Sequence, residues 1–410
     1  MSAALRPLRP RHLVIVALAL ALACQASVAA AEDLGPPIGS LFACERPGVT
    51  PPRCTSVGDS PRHYVAFDGS LTEPLRVALH DTMVEDYGPT DLVMIEQAAP
   101  NGLTDVIAFS ADYGENGAAG WVYCPRTSPQ GANPDGDRWC RAQELHFNLN
   151  PRYAIYLGDD ASRAYVACHE LGHTVGLRHW GNPPESAGPV AATCMNADTP
   201  DGPTELHPDD VARINAYAYL RRPSPRHVRL DAPVEGTLLR HPFGDGVEAL
   251  EVEHVPSLAA MVTGSDVVVV GRVTAIAAGR TFGNADPLHY AAVNVEVESI
   301  VAGSLRPTDG TALTLEVPLF GGVGELREMR AALPTRGLFF LRNKGTSAAA
   351  AGLSSAQQRG EARFYRLMTF DAAILDRAGR AAVGEARGYL AALSGIGFSE
   401  AVAIVHDAGP

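Results

Sequence analysis

The sequence predicts an α+β chain in two units: a twisted mixed sheet packed against a helix that carries metal ligands, then a smaller β-rich barrel or sandwich. Three observations predict it. Strand-like runs and one amphipathic helical pattern share residues 63–165, the stretch from His169 to His179 sets histidines at helical spacing, and beyond Pro223 the composition shifts to β-rich runs separated by turns.

Residues 1–31 read as an export signal. Arg6, Arg9 and Arg11 precede an apolar run from Leu13 to Ala23, and Ala29-Ala30-Ala31 offers a small-residue cleavage site before Glu32. The run is too short for a membrane span. A lipoprotein signal cut before Cys24 is the competing reading, although Ala21 stands three places earlier, where leucine is usual. Residues 32–62 form an N-terminal segment, with removal as a propeptide left open.

The first unit, residues 63–222, opens on a short strand at 63–67. A helix follows at 72–87, with apolar Leu75, Val77, Leu79 and Met83 and a stop at Gly88-Pro89. Strands are predicted at 92–95, 105–109, 121–124 and 144–149. The ligand helix starts after Asp159-Asp160 and runs to Gly176, and Pro208-Asp209-Asp210 caps another through Val211 and Ile214. Residues 223–246 read as a linker. The β-rich unit, 247–380, has runs at 266–276, 291–301, 312–319, 337–341 and 363–370, and five such runs suggest a small barrel or sandwich, with a barrel of OB type as one option. The tail, 381–410, reads as two short helices broken at Gly395-Ile396-Gly397.

The chemistry is concentrated in His-Glu-Leu-Gly-His-Thr-Val-Gly-Leu-Arg-His, residues 169–179. Helical positions i and i+4 share a face, so His169 and His173 can direct ring nitrogens at one ion. Gly176 allows the backbone to leave the helix in a conformation that a Cβ disfavours, which brings His179 back as third ligand. Three protein ligands on zinc leave a fourth position open, the arrangement of a catalytic rather than a structural site. Glu170 follows the first ligand and is placed to act as general base towards water.

The extended motif resembles the metzincin clan of zinc endopeptidases, whose pattern is HExxHxxGxxH followed by a methionine-containing turn. Thr193-Cys194-Met195-Asn196 supplies that turn, and the resemblance implies that Met195 packs its thioether beneath the three imidazoles. It covers residues 64–220 and implies a zincin catalytic domain in which Glu170 is catalytic and His169, His173 and His179 hold Zn2+. Trp180 after the third histidine matches no particular branch. The astacin and serralysin branches carry a tyrosine two places after the turn methionine; Ala197 stands there, so no such ligand is expected. The resemblance also implies that residues 144–149 form the edge strand pairing with extended substrate, where His146 would be an exposed side chain.

Seven cysteines are present, and Cys24 falls within the signal. The other six read as disulfides of an exported chain, and six allow 15 pairings. Proximity and the expected fold favour Cys44 with Cys54, Cys124 with Cys140, and Cys168 with Cys194. Two acidic loops, at 112–115 and 135–137, are candidates for Ca2+. Loss of residues 1–31 removes three arginines and no acid, taking the formal net charge from −13 to −16. Such a chain is a poor partner for nucleic acid or an anionic membrane. The expected partner is a protein or peptide substrate. A secreted binding protein built on the same scaffold, with the β-rich unit doing the recognising, is the alternative.

Overall fold

A computed structural model of the chain describes residues 61–123, 142–177, 179, 193–196, 202–216, 247–251, 255–320, 322–331, 333, 335–370, 372–383 and 388–409. The export signal, the linker at 223–246, the acidic loop at 135–137, Trp180, Ala197, and Cys44, Cys54, Cys124 and Cys140 lie outside them.

Six strands build the first sheet: β1 (Arg62–Phe67), β2 (Val93–Gln97), β3 (Val106–Ala111), β4 (Ala118–Tyr123), β5 (Gln143–Asn148) and β6 (Val247–Glu251), in the order β2-β1-β3-β5-β4-β6. The first, second, third and fifth run parallel, while β4 and β6 are antiparallel to their neighbours. Among the described residues, the unit also holds helices α1 (Glu73–Glu85), α2 (Ala154–Leu157), α3 (Asp160–Thr174) and α4 (Pro208–Ala216). On α1, Leu75, Ala78, Leu79 and Met83 are buried, and they share one core with Val166, Leu171 and Val175 from the region of α3. Val77, expected in that core, is 50% exposed. At 100° per residue it points about 200° away from both Leu75 and Leu79, so hydrophobicity alone misplaced it.

Two further expectations are corrected. Residues 144–149 do not form an edge: β5 lies between β3 and β4, and His146 is only 3% exposed. Beyond β5 lies β4, and β4 in turn pairs with the outer strand β6, with Ala118 opposite Glu251 and Tyr123 opposite Val247. β6 therefore belongs to the first sheet rather than opening the β-rich unit. An uncovered edge would leave a row of backbone donors and acceptors unpaired, and nothing in the alternation of a five-residue strand tells which sheet it will join.

The second unit holds β7 (Val267–Phe282), β8 (Leu288–Gly303), β9 (Ala312–Leu319), β10 (Thr335–Asn343), β11 (Phe364–Leu367), β12 (Ala373–Arg377) and β13 (Arg380–Val383), with α5 (Leu258–Gly264), α6 (Glu325–Ala331), α7 (Lys344–Ala350), α8 (Ser355–Glu361), α9 (Gly388–Ala391) and α10 (Phe398–Asp407). The seven-stranded sheet is antiparallel apart from the β9–β11 pair. Because β11 also pairs with β10, and β10 with β7, five strands close the ring β7-β8-β9-β11-β10. Val267, Val269, Val293, Val295, Leu315 and Leu341 face one core; Val268, Val270 and Phe340, one residue out of phase, face another with Met261, Phe398 and Val405. The unbroken Val267–Val270 run thus follows from burial on both faces. The β12–β13 hairpin turns through Ala378 and Gly379, both at positive φ. That geometry usually advertises itself as Asn-Gly, so this turn gave no sequence signal.

The units share an aromatic cluster in which Tyr113 and Trp121 meet Leu288, Tyr290, Phe320 and Phe370. The Tyr290 hydroxyl donates to the Tyr113 carbonyl at 2.9 Å, and Arg366 Nε donates to Glu115 Oε1 at 2.9 Å. The candidate calcium loop at 112–115 therefore engages protein groups: Glu115 pairs with Arg366, and Asp112 Oδ1 accepts from Gly114 N and Asn150 Nδ2. Among the described residues, no helix is long and apolar enough to cross a membrane.

Candidate metal centre

The ligand helix α3 starts where the Asp159 side chain accepts from Ser162 N at 2.9 Å. It ends where Gly176 takes φ 95°, with Leu177 N donating to the Gly172 carbonyl at 2.9 Å. This reversal carries the chain back over the helix face bearing His169 and His173. The three Nε2 atoms converge: His169 to His173 is 3.0 Å, His173 to His179 is 3.2 Å, and His179 to His169 is 3.0 Å.

Which nitrogens carry protons decides what this convergence means. His169 Nδ1 lies 2.8 Å from the Cys194 carbonyl, and His173 Nδ1 lies 2.9 Å from the Leu177 carbonyl. A carbonyl only accepts, so both rings bear their proton on Nδ1 and aim Nε2 lone pairs inward. Burial, reinforced by the neighbouring His173, holds the His169 imidazole well below its ordinary range, in the neutral form that binds metal. Facing lone pairs repel unless a cation lies between them. A cation held tetrahedrally about 2.0–2.1 Å from each imidazole nitrogen sets its ligands about 3.3 Å apart, close to the spacing found. The residues fit a metal ion.

Glu170 is fully buried, and its carboxylate lies against β4. A Cβ added at Gly120 would stand 2.6 Å from Glu170 Oε1, so glycine is what lets the strand approach. Gly172 does the same for Met195: a Cβ there would meet Sδ at 2.2 Å. Met195 is buried with its thioether against α3, between the two helical ligands in sequence.

The turn at 193–196 is tied in from several sides. Cys194 is disulfide-bonded to Cys168, the residue before His169. Thr193 Oγ1 donates to Asp210 Oδ2 of α4 at 2.6 Å, Cys194 N donates to the Glu205 carbonyl at 2.9 Å, and the Tyr165 hydroxyl donates to the Asn196 carbonyl. Closing a loop across a sequence separation of 26 residues typically stabilises by about 3 kcal/mol. Here the bond also fixes the Cys194 carbonyl that orients His169.

Several supports of this site were not expected from the sequence. Tyr87 donates its hydroxyl to the Cys168 carbonyl at 3.0 Å. His63 Nε2 lies 3.0 Å from Thr174 Oγ1, and burial pushes its imidazole down to about 4. The Thr174 hydroxyl proton goes to the Leu171 carbonyl, so His63 is the donor in that contact. Glycines inside a strand and inside the ligand helix were the available signals, since each marks a close approach. No family model matches this chain, and comparison with the curated proteins finds no match either.

Proposed function

We propose that the chain is a secreted zinc-dependent endopeptidase of the metzincin clan. The observation that carries this reading is the convergence of three Nε2 atoms from HExxHxxGxxH, two of them with Nδ1 committed to backbone carbonyls. Imidazole ligands in tetrahedral array favour Zn2+. A bound zinc ion supplies Lewis acidity, polarising the scissile carbonyl and lowering the pKa of water at the open position. Glu170 accepts the proton of the attacking water and delivers it to the leaving amine. Gly120 lets the adjoining strand lie close against that carboxylate. His169 and His173 are oriented through the carbonyls of Cys194 and Leu177, and Met195 gives the ligand helix an apolar support.

The Cys168–Cys194 bond suits an oxidising compartment, as an exported enzyme requires. The strand order first-second-third-fifth-fourth around the closed ring supports an OB-type reading of the second unit. The test uses purified mature protein: it should contain zinc by elemental analysis and cleave an unstructured protein, with cleavage abolished by a chelator. Stoichiometric zinc without cleavage of diverse substrates would replace this reading with that of a binding protein on the same scaffold.

A further inference from the structure

A second group of ligand-type side chains lies where the two units meet. Glu144 and His146 are two residues apart on β5 and so point to the same face. Asp286 reaches them from the turn between β7 and β8, and one ligand atom from each of the three lies within 4.8 Å of the others. His146 Nε2 is 3.2 Å from Asp286 Oδ2. The group opens into a cavity of about 350 Å³, lined also by Trp121, Tyr123 and His289.

The geometry holds the imidazole in one pose. Its ring is stacked between Trp121 at 4.8 Å and Phe109 at 5.2 Å, and Nδ1 lies 3.0 Å from the Tyr113 hydroxyl. A phenol can accept as well as donate, so Tyr113 can accept a hydrogen bond from Nδ1–H and leave the Nε2 lone pair directed at the carboxylates, the orientation that a metal-bound histidine shows. Two carboxylates this close repel each other unless a proton or a cation lies between them. A divalent ion would neutralise both charges at once, and the cavity leaves room for water to complete its coordination.

We propose that Glu144, His146 and Asp286 form a second metal site, for a divalent transition cation such as Zn2+ or Co2+, which clasps the first sheet to the barrel. The imidazole argues against Ca2+ and Mg2+, which prefer all-oxygen shells. The site shares no residue with the His169, His173 and His179 centre, and the two can be separated.

The experiment counts metal in the full mature chain after equilibration with Zn2+ alone, in wild type, Asp286→Asn and His173→Ala. Asp286 is partly exposed on a turn, so its substitution should leave the fold intact, which the unfolding midpoint checks. Asp286→Asn is expected to hold one equivalent fewer than wild type, and added Zn2+ should raise its unfolding midpoint less. Equal stoichiometry in Asp286→Asn and wild type overturns the proposal. His173→Ala reports separately on the first centre: loss there with Asp286→Asn unchanged would leave the peptidase reading standing and remove this one. Glu144→Gln repeats the test from the other unit.

Discussion

Replacing Glu170 with alanine should leave zinc bound and remove hydrolysis, lowering kcat by about 10²–10⁴-fold, the usual contribution of a positioned acid–base group. The metal ligands are untouched, because the Nδ1 partners of His169 and His173 are the carbonyls of Cys194 and Leu177. Glu170 is fully buried, so the variant also sheds the desolvation cost of a carboxylate, and folding stability is not expected to account for the lost activity. Metal content, unfolding midpoint and turnover measured on one preparation check this. Wild-type turnover in the variant would mean that another group moves the proton.

A comparably large effect on stability is expected far from the metal. Lys344 is the single lysine of the chain, and it is fully buried, with Nζ 2.8 Å from Glu316 Oε2. Glu316 also receives Arg280, whose Nε lies 2.7 Å from Oε1, and Arg280 in turn reaches Glu361. Nζ sits 4.7 Å from the Tyr290 ring, and Tyr290 is the residue whose hydroxyl binds the Tyr113 carbonyl across the unit boundary. Glu316→Leu leaves a buried ammonium without its counter-charge and should cost about 3–5 kcal/mol. The double variant Glu316→Leu with Lys344→Met removes both charges and should recover much of that loss. Denaturant unfolding of the three proteins measures it, and a single-variant cost below about 1 kcal/mol would contradict the argument.

The candidate metal centre was legible in the sequence because its histidines are local. Histidine spacing, the helix-ending glycine and the cysteines beside His169 and Met195 are all short-range signals, and the structure brings the histidines together where the spacing placed them. The parallel core strands were legible too, since β3 is buried along most of its length. What was not legible depended on distant partners. Strand β6 pairs across more than a hundred residues with β4, the partner of His146 arrives from the β7–β8 turn, and Glu115 finds Arg366. None of these leaves a trace in periodicity. Val77 failed for a different reason: β-branched and apolar, it sits on the outer face of an amphipathic helix, and exposed single apolar residues are ordinary.

The central claim is that His169, His173 and His179 hold a zinc ion with an open fourth position. Zinc-edge X-ray absorption on the Asp286→Asn protein, which isolates that centre, tests it most directly. Three imidazole nitrogens and one oxygen at about 2.0–2.1 Å are expected. A shell containing sulfur at about 2.3 Å, or a protein that binds no zinc, would contradict it.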